Sequence, residues 1–340
     1  MIDGYLSYAA ARATQAERLT EAIGGLVGSV GRWAGRGALA GPGPVFVGIG
    51  ASLAAAAAPV WELRSRGVHA WRLGAGDHPI PYPSSPHPIF AVSQSGRSSE
   101  TLAVLESIEQ SGRFAVVNVA RSPIANAASN VLDLGSIPDS YASTIGYTAT
   151  VAALGILAEA WDGGRIAESW SRLGDTFAAT EERLTEQLRS LAPLFADATS
   201  ADFVGTGRSV GTAEAGALLF REVARIPSTG MSTRQYLHGS MESAGGGVHV
   251  IFGEDGEHAV ARTLADAGHP VILVSSERVE AGPLLHPVTV PRLRPAQSAI
   301  VEILIAQILV EAVAEVRGVN VEEFVFTSTD AKVPAERSSV

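Results

Sequence analysis

Phe46-Val47-Gly48-Ile49-Gly50-Ala51-Ser52 returns 157 residues later as Phe203-Val204-Gly205-Thr206-Gly207-Arg208-Ser209, with five of the seven positions identical. In each copy a short apolar run ends in a glycine-containing turn, as a buried parallel strand does when it passes into a helix. Outward from the first copy, residues 68–73, 89–92, 115–119 and 131–134 read as further short strands. Residues 52–66, 98–110 and 143–160 read as helices. Outward from the second copy, 248–252 answers 89–92 and 271–274 answers 116–119. Residues 5–33 read as one or two helices, 165–195 as a long polar-faced helix and 296–317 as a closing helix. The expected fold is α/β: two tandem three-layer units, each a mainly parallel sheet flanked by helices. The expected organisation is an N-terminal helical segment (1–40), a first domain (41–164), a connecting helix (165–195), a second domain (196–318) and a tail (319–340).

Composition narrows the function. The 340 residues carry 25 basic and 35 acidic side chains, a net charge of −10, which argues against a broad nucleic-acid-binding face. A small phosphorylated ligand remains compatible, because screening makes the local field decisive beyond about 8 Å. There is no cysteine, so disulfides, thiolate metal sites and thiol nucleophiles are excluded. The eight histidines show no close metal-ligand spacing, and neither a metal nor a cofactor is expected. The apolar run 144–158 is shorter than the ~20 residues of a membrane span. No signal-peptide layout opens the chain, so a cytoplasmic protein without membrane partners is expected. Lys332 is the only lysine. Arginine-rich composition accounts for the bias, yet lysine alone can lose its proton or form an imine.

The sharpest local feature is Ala91-Val92-Ser93-Gln94-Ser95-Gly96-Arg97-Ser98-Ser99-Glu100-Thr101. An apolar strand runs through a polar turn into a helix whose first N–H groups lack internal partners and carry the positive end of the dipole. Small hydroxyl side chains admit an anion there, and Ser52 at the neighbouring strand end adds a donor. Taken singly, Ser52 and Ser98 are also ordinary helix N-caps. The corresponding turn of the second copy, Phe252-Gly253-Glu254-Asp255-Gly256, carries two carboxylates that would repel a phosphate.

The Ser93-Gln94-Ser95-Gly96 turn followed by Ser98, within this repeat, resembles the sugar isomerase (SIS) family. The resemblance spans roughly 40–335. It is closest to the double-SIS isomerase half of glucosamine-6-phosphate synthase and its isomerase, deaminase and fructosamine deglycase relatives. It implies that Ser52, Ser93, Gln94, Ser95 and Ser98 hold a sugar phosphate. It also implies that Tyr141, Ser143 and Ala331 border the sugar. Glu222, His238 sixteen residues later, and Lys332 after Ala331 match the family's catalytic positions. The family histidine reaches the neighbouring subunit's site, so a homodimer is expected.

The residues themselves leave alternatives. Glu222 shares a predicted helical face with Leu218, Leu219 and Ile226, which would desolvate it and suit it to moving a proton between sugar carbons. The alternative is a helix-end glutamate paired with Arg225, which the residues by themselves favour. His238 could open a pyranose ring, or merely cap a helix before Gly239. Lys332 could act on an open-chain carbonyl, or be a solvated tail residue. Leu219 and Ile145 stand where the family synthase has lysines, and Pro138 where it has a glutamate. No glutaminase domain or cysteine is present, so ammonia release from glutamine is not expected. The expected function is isomerisation, deamination or deglycation of a hexose or amino-sugar 6-phosphate. The alternative is a non-catalytic phosphosugar-binding regulator.

Overall fold

Short, nearly continuous apolar strands are what a parallel sheet covered on both faces requires. The computed structural model, which describes residues 5–322, 324–326 and 331–334, contains two such sheets. The chain divides into two units, Met1–Arg172 with Val325–Val340, and Leu173–Phe324. The tail expected over 319–340 lies partly outside the described residues.

In the first unit, β1 (Val45–Gly48), β2 (Trp71–Gly74), β3 (Ile89–Ser93), β4 (Arg113–Val117) and β5 (Asn130–Asp133) form an all-parallel sheet. Its order is β2-β1-β3-β4-β5. The chain steps from β1 to one side and then returns to the other, so the ends of β1 and β3 flank a topological switch point. The helices are α1 (Tyr8–Gly35), α2 (Ala51–Ala55), α3 (Ala57–Ser65), α4 (Ser99–Glu106), α5 (Pro123–Ala127) and α6 (Ile145–Ala160). Every residue of α6 is buried, as a helix with few polar side chains on any face demands. It packs on α1, α2 and α3. Phe90 stacks on Phe114 at 4.5 Å and meets Phe46 and Trp161.

The second unit repeats the plan. It contains α7 (Leu173–Leu191), β6 (Ser200–Gly205), α8 (Val210–Leu219), β7 (Ser228–Ser232) and α9 (Thr233–Leu237). β8 (Gly247–Phe252), α10 (Asp255–Asp266), β9 (Val271–Ser275), β10 (Leu285–Thr289) and α11 (Pro295–Arg317) complete it. Its parallel order, β10-β9-β8-β6-β7, matches the first sheet strand for strand. α11 is the buried helix here and packs on α7 and α8.

The expected α/β architecture of two sheets is observed, with local differences. The helix read over 52–66 is split, because Pro59 cannot donate to the Ala55 carbonyl one turn back. The helix read over 98–110 stops at Glu106, and the one read over 165–195 is helical in α form only from Leu173 to Leu191. β7 and β10 have no counterpart in the apolar pattern. Both are edge strands, where polar residues and Pro287 are tolerated.

Gly230 of β7 lies against α8: a Cβ there would stand 2.4 Å from the Glu214 Cα and 2.5 Å from the Ala213 carbonyl oxygen. Both are backbone atoms, so neither can swing away. Gly230→Ala is expected to destabilise the second unit by about 1–3 kcal/mol, read as a lowered thermal midpoint against wild type.

Candidate functional site

At the first unit's switch point, β3 ends in the turn Ser93–Ser98. Ser93 is buried, and its hydroxyl lies 3.0 Å from that of Ser98. Ser98 is the N-cap residue of α4, but its side chain makes no capping bond. Gly96 turns the chain with φ 64°, and a Cβ on it would sit 2.0 Å from the Ser122 hydroxyl. Only glycine meets both conditions. The half-buried Ser95 accepts a hydrogen bond from the Arg97 N–H at 3.3 Å. Ser52, also half-buried, lies in the first turn of α2, which starts after Gly50 and has no side-chain cap.

A residue outside the sequence expectations organises the neighbouring wall. Asp139 is buried, and its carboxylate accepts from the backbone N–H groups of Ser140 (2.9 Å), Thr144 (3.0 Å), Ile145 (3.1 Å) and Gly146 (2.9 Å). The hydroxyls of Ser143 (2.7 Å) and Thr144 (2.8 Å) donate to it as well. It therefore caps α6 from outside the usual N-cap position and neutralises the positive end of that helix. Gln94 donates its side-chain amide to the same carboxylate at 3.0 Å. One of the two N–H groups expected to face a phosphate is thus spent on orientation. Gly146 makes this approach possible, since a Cβ there would lie 1.9 Å from the Gln94 amide nitrogen. Asn118, likewise not anticipated, pins residue 137 through paired bonds of 2.8 Å to the Ile137 carbonyl and N–H.

The tail closes on this turn. Lys332 bridges Ser98 in antiparallel fashion, the Val333 N–H donates to the Arg97 carbonyl at 2.9 Å, and Arg97 Nε returns a bond to the Val333 carbonyl at 2.8 Å. The Ala331 carbonyl accepts the Ser99 N–H at 3.4 Å, so it takes up one of the first donors of α4. Lys332 itself is exposed. A cavity of about 280 Å³ is lined by Gln94, Ser95, Asn118, Asp139, Tyr141 and Lys332, among others. Ser52, Ser93 and Ser98 are not among its walls. Tyr141 is exposed and stacks on Tyr5 with ring centroids 4.6 Å apart.

Glu222 and His238 belong to the second unit. Glu222 sits in a π turn, Phe220–Ala224, that extends α8, and Arg225 ends the turn in the left-handed region at φ 54°. Ile226 therefore lies beyond the helix, and the shared face predicted with Leu218 and Leu219 does not extend to it. Among the described residues no ion pair joins Glu222 to Arg225. Desolvation pushes the Glu222 carboxyl up from the ordinary 4.5 to about 7. π turns of this kind recur at functional sites. His238 is the exposed C-cap residue of α9 and is followed by Gly239 at φ 134°. Leu219 and Ile145 are both buried.

The raised Glu222 carboxyl makes stability depend on pH. The folded state keeps this proton up to about pH 7, whereas an unfolded carboxyl loses it near 4.5. The folded state binds more protons across that window, so its advantage is full below 4.5 and is lost as pH rises to 7. Thermal midpoints of wild type minus Glu222→Gln are expected to fall across this window and level off above it. Parallel curves would contradict the desolvation.

Residues 45–160 match the family model described as SIS domain. The chain is 28% identical over 253 residues to the glutamine–fructose-6-phosphate aminotransferase (isomerizing) of Zymomonas mobilis, a match covering 68% of this chain and 42% of that protein. It thus spans less than half the length of the curated relatives it matches. Among solved structures, it superposes on the C-terminal domain of glucosamine-fructose-6-phosphate aminotransferase from Francisella tularensis. The TM-score is 0.77 at 17% identity, covering 95% of this chain and 99% of that one. It also superposes on glucosamine-6-phosphate deaminase from Thermotoga maritima, with TM-score 0.72 at 18% identity over 92% and 97% of the chains. Residues 45–160 thus match the SIS domain model, and the chain shares the two-sheet α/β fold of these solved structures.

Proposed function

We propose that this protein is a phosphosugar enzyme of the SIS type that isomerises, deaminates or deglycates a hexose or amino-sugar 6-phosphate. The observation that carries this reading is the joining of the Ser93–Ser98 turn to the tail segment that bears the chain's only lysine. Hydroxyl and N–H donors from Ser52, Ser93, Ser95, Ser98 and the start of α4 receive the phosphate. Gln94 and Ser143, both fixed by Asp139, shape the wall beside it, and Tyr141 and Ala331 border the sugar. Lys332 acts on the open-chain carbonyl, either through its oxygen or as an imine. His238, supplied by a second copy of the chain, helps open the ring. Glu222 moves the proton between C1 and C2, and a carboxyl raised to about 7 suits that exchange near neutrality. The similarity to a glutamine–fructose-6-phosphate aminotransferase and to a glucosamine-6-phosphate deaminase supports the substrate class.

One observation favours a second reading, a phosphosugar-binding regulator without turnover. Leu219 and Ile145 put buried aliphatic side chains where the resemblance calls for lysines. The two readings separate in D₂O. With a panel of hexose and hexosamine 6-phosphates, proton NMR is expected to show deuterium entering C1 or C2. Exchange should fall by about 10²-fold or more in Glu222→Gln, the usual contribution of a positioned acid–base group. Binding that is weakened in Ser95→Ala, without exchange in wild type, would establish the regulator instead.

A further inference from the structure

The two sheets can be aligned residue by residue through their pairing. Phe46 pairs with Phe90, and its repeat mate Phe203 pairs with Val250. Four residues further on, Gln94 therefore corresponds to Glu254. Phe90 pairs with Phe114 and Val250 with Ile272, so Val117 and Asn118 correspond to Ser275 and Ser276. The second unit's switch point thus has the same frame as the first, with reversed chemistry. Where the first presents hydroxyl and amide donors, the second adds carboxylates and an imidazole, with its hydroxyls and Arg208 turned on Glu254. Carboxylates accept only, and a neutral imidazole offers a lone pair, so this corner suits a cation rather than an anion.

We propose that Glu254, His258 and Glu277 form a binding site for a divalent first-row transition ion such as Zn²⁺. One ligand atom from each lies within 4.8 Å of the others. Glu254 Oε2 and His258 Nε2, four residues apart at the start of α10, are 3.8 Å from each other. Ligands of a tetrahedral zinc at about 2.0–2.1 Å stand roughly 3.4 Å apart, so small side-chain rotations close the set. Imidazole selects against magnesium and calcium, which prefer all-oxygen shells.

The surroundings already orient the ligands. Glu254 Oε1 is held by the Ser276 N–H (3.0 Å) and hydroxyl (2.7 Å), with Arg208 Nη2 3.7 Å away. That fixes the carboxylate with Oε2 turned towards His258. Glu277 Oε1 lies 3.7 Å from Arg292 Nη2. Each carboxylate thus has an arginine near one oxygen, which moderates the repulsion between them. Such outer partners set ligand geometry at metal sites. Ser275 links the set, with its hydroxyl donating to Glu254 Oε2 at 2.5 Å and lying 2.9 Å from His258 Nε2. An ion would replace this bridge and tie the start of α10 to the end of β9. Linear spacing conceals the site because it uses one histidine and two glutamates from different strand ends.

The test uses the full chain, stripped with a chelator, saturated with ZnCl₂ and dialysed. Metal content is then measured in wild type, Glu277→Gln and His258→Gln, and Zn²⁺ affinity by competition with a chromogenic chelator. About one equivalent is expected in wild type, with affinity at least about 10-fold weaker in both variants. Glu277 is exposed, so its variant decides the matter alone if His258→Gln fails to fold. Less than about 0.2 equivalents in wild type overturns the site. Wild-type affinity in a folded variant also overturns it. The proposal stands or falls independently of the phosphosugar reading, because metal content and Zn²⁺ affinity are measured without any sugar and none of the three ligands is assigned a role in that reading.

Discussion

A buried carboxylate is tolerable only when its oxygens are satisfied, and Asp139 meets that demand by gathering the first turn of α6, Ser143 and Gln94 around itself. Hydrogen bonds to a charged group contribute about 1.5–3 kcal/mol each and are not additive, while an unpartnered buried charge costs several kcal/mol. The loop before α6 and the turn after β3 are therefore held in one arrangement. Leu6 donates its N–H to the Asp139 carbonyl at 3.0 Å, which brings the start of the chain into the same knot. α6 loses its positive end to Asp139. Fixing donors before the ligand arrives is what gives a small polar site its affinity.

The two units show how one scaffold supports opposite chemistry. Both sheets place a turn at the same switch point, between the first and third strands of the unit. In the first unit that turn is small and rich in hydroxyls. In the second, Glu254 draws Ser275, Ser276 and Arg208 to itself. The parallel sheet dictates where a ligand can sit, and the side chains at the strand ends decide its charge.

Much of this is legible in the sequence because it depends on short-range pattern. The strand-to-turn passage at Ser93, the repeat at Phe46 and Phe203, and the mostly apolar helix read over 143–160 each show in local pattern. Lys332 stands out through composition alone, yet its junction with Ser98 spans more than two hundred residues and no periodicity reports it. Asp139 escapes notice because it caps from several residues ahead of α6, not from the N-cap position. The π turn at Glu222 changes the phase of a helix without changing its apolar content, so the predicted face with Ile226 does not form. β7 and β10 are silent because edge strands need no continuous apolar run.

The most direct measurement is calorimetric titration of wild type and Asp139→Asn with a hexosamine 6-phosphate and with the same sugar lacking phosphate. If Asp139 preorganises an anion site, wild type binds only the phosphorylated sugar. Asp139→Asn, still melting cooperatively, then binds it at least about 10-fold more weakly, a loss of about 1.4 kcal/mol or more. Equal or tighter binding by Asp139→Asn, or equal binding of both sugars by wild type, would contradict it.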